Sequence, residues 1–515
     1  MVQTSLGKIG TIARRAHNLI LVDVNVWNFL ADAARRWPDR PTLAQGHRQI
    51  SYVEARDRAL TLAANLRDRG VREGDRVGCL MHNDIDHLIA YFGVAAAGAI
   101  LVSLNTRLTD GEQRDILEHS GARWLVHDDA HELRAGILER EPLRVPQHGA
   151  PGTQTFLLEA DEPAQLYYTS GTTGAPKGVT LTHRNVCTHA DAAIQELQLT
   201  ERDTWSHVAP MFHLADAWAT FAVTAVGGRH TFLPTFTARA ALALLVDEQV
   251  TITNLVPTML NLMVKEADAG ERSYQLRAML SGGAPIAPDV VRRIIDTFKC
   301  DYVQTYGMTE TSPYLTLSLL PPELTQLPTE QQLHYKCKTG RPFHGVELKV
   351  VDEHGVPIAN DANAVGEIRV RGETVTPGYW HDAEATAAAF DADGFLMTGD
   401  LATIDAFGFV DIVDRKKDVI KTGAETVYSV EVEHVLYEHP AVLECAVFGK
   451  PDEKWGERVV AAVVLRPDHS TSVDDLIAWC RQRIAGYKTP KEVVFHAELP
   501  RTGSGKIQKR ALRDV

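Results

Sequence analysis

Helix-period and strand-period runs alternate along most of this chain, and that alternation restricts it to layered α/β architectures. The first clear unit begins at Ser51. Ser51 and Glu54 have capping-box spacing, and Ala55, Ala59, Ala63 and Leu66 fall on one helical face. Gly70 then stops the helix, and residues 76–81 read as a strand. Comparable units recur at 217–233, 240–255 and 288–306, without the fixed period of a solenoid. From Val346 onward strand-like runs dominate (347–351, 366–370, 408–413), up to a charged cluster at 414–418. Beyond it, 431–436, 446–448, 459–465 and 473–484 describe a compact unit ending in a Gly/Lys-rich tail. The expected fold is α/β, with a large N-terminal layered domain over 1–414 and a smaller α+β domain over 415–515, joined at a hinge near Lys417. A length of 515 residues is enough for two or more separate cores. The Pro/Gln/Thr-rich stretch at 320–332 reads as a long surface loop.

Charge and cysteine usage exclude several function classes. With 53 Lys+Arg against 67 Asp+Glu, the net charge of −14 provides no chain-wide basic footprint for nucleic acid. Cys79, Cys187, Cys300, Cys337, Cys445 and Cys480 form no C-x-x-C pair, which fits reduced thiols in a cytoplasmic protein better than a disulfide framework or a zinc site. Lys8, Arg14 and Arg15 precede no apolar signal core. The uncharged run at 88–106 is as long as a membrane span, but Gly93 and Gly98 interrupt it, so it reads as a buried helix followed by a strand. No transmembrane segment is expected.

The densest chemical signal lies at 167–178. Thr169, Ser170, Thr172 and Thr173 sit among Gly171, Gly174 and Gly178, so a compliant backbone can turn amide and hydroxyl donors toward phosphate oxygens, and Lys177 adds positive charge. The loop is not a Walker A motif, because Pro176 stands before the lysine and Gly178 after it. In 306–310, an aromatic ring able to stack on a purine (Tyr306) precedes Gly307, Thr309 and the hard oxygens of Glu310.

These strings, together with 210–213, 281–285, 398–400, 414–418, 421–425 and 500–506 in that order, resemble the adenylate-forming superfamily of acyl-CoA synthetases, firefly-luciferase-like enzymes and peptide-synthetase adenylation domains. The resemblance runs essentially end to end. It implies ATP-dependent activation of a carboxylic acid to acyl-AMP and pyrophosphate, followed by transfer of the acyl group to coenzyme A, with Mg²⁺ as the metal. Other acceptors, an amine or a carrier protein, stay open, as does a non-catalytic acyl-nucleotide sensor.

By the same resemblance, Thr169, Ser170, Gly171, Thr172, Thr173, Gly174, Gly283, Ala284, Tyr306, Gly307, Thr309, Asp400 and Arg415 hold ATP or AMP, with Asp400 on the ribose hydroxyls and Glu310 on the metal. Lys506 is the catalytic lysine carried by the mobile small domain, assisted by Lys177 and His213, and Lys417 is the hinge. Gly423 and Trp455 border the coenzyme A tunnel, while His213, Trp218, Val256 and Gly282 shape the acyl pocket. Leu214 occupies the position where amino-acid-activating relatives carry an aspartate, which favours an apolar acyl or aryl acid, although Asp216 lies two residues on. Ala424 and Ser429 depart from the family's usual glycine and proline.

His127 and His131, four residues apart among carboxylates, superficially suggest a metal site. They follow a strand and lack H-E-x-x-H order, so a solvated turn is expected there.

Overall fold

A computed structural model describes residues 24–150, 158–169, 176–284, 286, 288–423, 425–501 and 507–513. Among these the chain forms a large N-terminal α/β region with three sheets and a smaller C-terminal region with one. A nine-stranded sheet has a parallel centre in the order Asp301–Gly307, Ala278–Gly282, Ile252–Asn254, Thr204–His207, Arg229–Phe232 and Pro41–Gln45, with antiparallel strands at both edges. A seven-stranded sheet runs parallel from Pro163–Thr169 through Ile100–Ser103, Arg76–Leu80 and Trp124–His127 to Glu141–Leu143. Lys177–Thr182 and Gly378–Tyr379 extend its other edge antiparallel.

The helix Tyr52–Asp68 starts as expected, with Ser51 Oγ accepting from the Glu54 N–H at 3.2 Å. Its Ala59, Ala63 and Leu66 are fully buried. The uncharged run becomes the twelve-residue helix Ile85–Ala96 and the strand Ile100–Ser103, and among the described residues no helix is long and apolar enough to cross a membrane. Gly93 has a packing reason: a Cβ there would meet Leu62 Cδ2 at 2.8 Å and the Ala59 carbonyl at 3.1 Å, so the two helices touch because it is glycine. Tyr91 on the buried helix donates to the Met211 carbonyl at 2.7 Å and lies 3.1 Å from the Tyr167 hydroxyl, linking the two large sheets.

The stretch at 320–332 is not a long loop. Pro322–Thr325 and Thr329–Cys337 are helices, and Leu324 and Leu333 are buried beneath them. Pro322 is a helix starter at the first turn rather than a breaker.

A four-stranded antiparallel sheet, Glu347–Val351, Gly366–Arg371, Leu396–Ile404 and Val410–Arg415, completes the large region. Sheet membership then changes. Ile420–Thr422 and Glu425–Val427 join the hairpin Val442–Asp452/Gly456–Leu465 and the strand Glu492–Phe495 around a separate core of Val432, Leu436, Val447, Val463 and Leu476. The six cysteines are all free thiols.

Candidate active site

The parallel strands Ala278–Gly282 and Asp301–Gly307 end side by side, which brings Gly282, Gly283 and Ala284 next to Tyr306 and Gly307. Gln304 Nε2 donates to the Ala284 carbonyl at 3.2 Å, and Thr305 Oγ1 donates to the Ser281 carbonyl at 3.2 Å. There is no room for a side chain at Gly282 or Gly307. A Cβ on Gly282 would lie 2.3 Å from Thr305 Oγ1, and one on Gly307 would lie 1.9 Å from the Pro313 carbonyl oxygen.

Tyr306 donates its hydroxyl to Asp400 Oδ2 at 2.6 Å, and Arg415 Nε stands 3.3 Å from Asp400 Oδ1. Asp400 and Arg415 face each other across adjacent strands. Burial, then the Asp400 charge, pushes the Tyr306 phenol well above its usual range, so it remains a neutral donor. A carboxylate oxygen accepts along two lone pairs, so Asp400 keeps capacity for a vicinal diol while holding Tyr306 and Arg415.

The hairpin Pro163–Thr169/Lys177–Thr182 pairs Thr169 with Lys177, so the phosphate-loop candidates leave from one point and return to it. Ser170, Gly171, Thr172, Thr173 and Gly174 lie outside the described residues. Lys177 Nζ sits 5.0 Å from the centroid of the Tyr379 ring, and Tyr379 donates its hydroxyl to Glu310 Oε1 at 3.0 Å. Gly378–Tyr379 is held there by pairing with Val179 and Thr180, and the Thr376 N–H donates to the Glu310 carbonyl at 2.8 Å. Glu310 is buried in the one-turn segment Thr309–Thr311. Mg²⁺ is ordinarily held by one or two carboxylates completed by substrate phosphates and water, and a single buried carboxylate beside a phosphate-loop candidate fits that donor set. Nothing in the sequence around Tyr379 singles it out. It is 69 residues from Glu310, and no spacing rule links the two.

Among the acyl-pocket candidates, His213 caps the helix Leu214–Ala225, its N–H donating to the Pro210 carbonyl at 3.0 Å and its ring set edge-on to Phe212. Val256 is 36% exposed at the start of Pro257–Met263, and its Cγ1 lies 4.0 Å from where a Gly283 Cβ would be. Two expectations change. Trp218 is 1% exposed and packs its ring against Trp205, His189 and Tyr314, so it belongs to the core and is not an open pocket wall. Asp216 is fully buried with Oδ2 2.6 Å from His207 Nδ1 and Oδ1 3.4 Å from Trp205 Nε1. Burial pushes the Asp216 carboxyl well up and pulls His207 down, which leaves the pair neutral and unavailable to a substrate ammonium.

In the smaller region, Gly423 and Trp455 come together. The Gly423 N–H donates to the Trp455 carbonyl at 2.6 Å, and a Cβ on Gly423 would crowd the indole at 3.2 Å. Trp455 is 47% exposed, with Lys454 Nζ 4.6 Å from its ring centroid. Lys417 is exposed in the turn between the last strand of the large region and the first of the small one. Lys506 and Ala424 lie outside the described residues.

The sequence matches the family model "AMP-binding enzyme" over residues 30–380 and "AMP-binding enzyme C-terminal domain" over 431–506. It is 36% identical to a long-chain-fatty-acid–CoA ligase of Thermus thermophilus, covering 96% of this chain and 95% of that one. It is also 36% identical to a feruloyl-CoA synthase of an Amycolatopsis species, over 93% and 96% of the two chains. Among solved structures it is similar to o-succinylbenzoate CoA synthetase of Bacillus subtilis in complex with its acyl-adenylate intermediate (TM-score 0.85, 30% identity, 95% and 98% coverage). The same enzyme in complex with ATP and magnesium ion superposes with a TM-score of 0.84 at 30% identity, again over 95% and 98% of the chains. Matches of this length and identity show that the chain belongs to the AMP-binding enzyme family.

Proposed function

We propose that this chain is an AMP-forming acid–thiol ligase, converting an apolar acyl or aryl carboxylic acid and ATP to acyl-AMP and pyrophosphate and then transferring the acyl group to coenzyme A. The observation that carries the reading is the convergence of Tyr306, Asp400 and Arg415 on one side and Lys177, Tyr379 and Glu310 on the other, joined through the short 306–310 segment. In this reading Tyr306 stacks on adenine, Asp400 receives the ribose hydroxyls and Arg415 steadies Asp400. Thr309 and the 169–174 loop hold the phosphates. Glu310 would hold Mg²⁺, which supplies charge neutralisation for the departing pyrophosphate. Lys506 brings a positive charge to the carboxylate as it meets the α-phosphate, and it withdraws when the small domain turns about Lys417.

A neutral acid pocket supports an apolar substrate, because Asp216, the acidic side chain closest to His213 in the helix, is paired inside the core. The names of the fatty-acid and feruloyl relatives are consistent with that class. Coenzyme A rests on the exposed Trp455 beside Gly423 and on the naming of those relatives as CoA ligases. A panel of fatty and aryl acids, assayed with ATP, Mg²⁺ and coenzyme A, should give equimolar AMP and acyl-CoA with at least one acid. Pyrophosphate release that needs no coenzyme A, with AMP turnover appearing only on adding amines, would replace the thiol acceptor. No acid-dependent pyrophosphate release at all would overturn the ligase reading.

A further inference from the structure

The turn after Trp124–His127 is not the solvated turn that the His127/His131 spacing suggests. The histidine pair separates: His127 is buried with Nδ1 2.9 Å from the Asp128 carbonyl, while His131 turns to meet a residue from another loop. Strands Arg76–Leu80 and Trp124–His127 are parallel neighbours with Leu80 opposite His127, so the loops that follow them leave the same edge of the sheet. That places His82 beside Asp128 and His131.

Asp128 is fixed by backbone before any side chain reaches it. Its Oδ2 accepts from the His82 N–H at 2.8 Å and its Oδ1 from the His131 N–H at 3.0 Å. The same two oxygens face the imidazoles, Oδ2 at 3.1 Å from His82 Nδ1 and Oδ1 at 2.5 Å from His131 Nδ1. The two rings lie 4.6 Å apart between centroids, and one donor atom from each of the three residues falls within 4.8 Å of the others. The His131 side chain is 9% exposed, Asp128 16% and His82 38%, so the cluster is walled on one side and reachable by water on the other.

We propose that His82, Asp128 and His131 form a binding site for one divalent transition-metal ion of the zinc class, separate from the nucleotide site. Two imidazoles and one carboxylate suit Zn²⁺, Co²⁺ or Ni²⁺, whereas Mg²⁺ and Ca²⁺ prefer all-oxygen sets. Three protein ligands leave the water-facing side for solvent or a fourth ligand. Binding displaces any proton held between imidazole and carboxylate, and that proton leaves to solvent.

The site also has a route to the acid-binding segment. Asn83, the next residue, donates its Nδ2 to the His207 carbonyl at 2.9 Å and the Ala209 carbonyl at 2.8 Å, and its Oδ1 accepts from the Met211 N–H at 2.8 Å. A metal that fixes His82 therefore fixes the clamp holding the chain that leads into His213. This second consequence rests on the proposed ligase function; metal binding itself does not.

The test uses the full chain without a polyhistidine tag, stripped with a chelator and titrated with Zn²⁺ by calorimetry and with Co²⁺ by visible absorption. One equivalent should bind, and His82→Ala and His131→Asn should each weaken binding by at least about tenfold. Cys337→Ser, at the one cysteine that is not fully buried, should leave binding unchanged. Unaltered binding in His82→Ala, loss of binding in Cys337→Ser, or absence of stoichiometric binding would each overturn the site. If His131→Asn fails to fold, the half-exposed His82→Ala still decides. If the metal binds as proposed but acid-dependent turnover is absent with and without it, the site stands and the ligase reading falls.

Discussion

Tyr379 shows how much of a site can hang on one hydroxyl. Its ring lies under Lys177 and its O–H reaches the buried Glu310, so it orients the carboxylate proposed to meet Mg²⁺. Tyr379→Phe keeps the ring and removes only the donor. A partner that orients a metal-binding group is worth roughly 10–100-fold in metal affinity or activity. The Mg²⁺ concentration for half-maximal pyrophosphate release should therefore rise about tenfold, with thermal stability nearly unchanged. An unchanged Mg²⁺ titration would assign Tyr379 to packing alone. Such pairs are poorly legible in sequence. Tyr306, Asp400 and Arg415 belong to strings with recognisable order, and the structure brings them together, whereas nothing near Gly378 marks Tyr379 as a partner of Glu310. Asp216 illustrates the opposite error: its charge and position suggest a pocket group, and only burial against His207 shows that it is not.

Elements were more legible than their contacts, because amphipathic period and capping act within a few residues while tertiary pairing does not. The αβ units form where the periodicity places them, but 320–332 looks like a loop in the sequence because proline at a helix start and proline in a loop look alike without knowing that Leu324 and Leu333 are buried. At Ser429, where the resemblance implies proline, the side chain and N–H make contacts that proline could not. Its N–H and Oγ both donate to Asp414, a carboxylate 2% exposed, and Lys509 Nζ reaches the same Oγ at 2.6 Å. Ser429 is the first residue of the helix Ser429–Tyr437, where proline would suit the helix itself. Ser429→Pro thus isolates the lost donors, and it should lower stability by about 1–3 kcal/mol, against about 1 kcal/mol for Ser429→Ala, which retains the N–H. Equal melting temperatures for the proline variant and the parent would remove the Asp414 contact from the stability of this junction. Earlier in the same junction, the link between Arg415 and Ile420 joins two different sheets. Lys417→Pro fixes φ at the proposed pivot and should leave acid-dependent pyrophosphate release while abolishing acyl-CoA formation. Full acyl-CoA formation would place the pivot elsewhere.

Across the whole molecule, neutral imidazoles are built into the large domain as acceptors. His183 Nδ1 accepts from the Val26 N–H at 3.2 Å, tying the first described helix to the centre, and His189 Nε2 accepts from the Tyr314 N–H at 3.3 Å while its ring packs on Phe343. Protonating the accepting nitrogen of either one breaks its bond and places a charge in the core. Burial accordingly pulls His183 down to about 4 and His189 to about 3. With an unfolded imidazole near 6.5, the unfolded chain binds more protons than the folded one as pH falls from about 6.5 toward 4, so stability must drop over that window. Each group contributes a loss of about 2 kcal/mol by pH 5 relative to about pH 7.5. Asp191 acts in the opposite sense, since burial raises it to about 6 and the folded state then takes up its proton first. It is one partly buried carboxyl against two fully enclosed imidazoles, and it offsets less than half of the loss. Together these three groups should lower the unfolding free energy by about 2–3 kcal/mol between about pH 7.5 and pH 5, read as the difference in urea titrations between the parent and a variant lacking them. His183→Gln, which can still accept from Val26 but cannot titrate, should flatten the pH dependence by up to one proton over the same interval. Equal or greater stability at about pH 5 would mean that these imidazoles do not govern the acid limb of the whole chain.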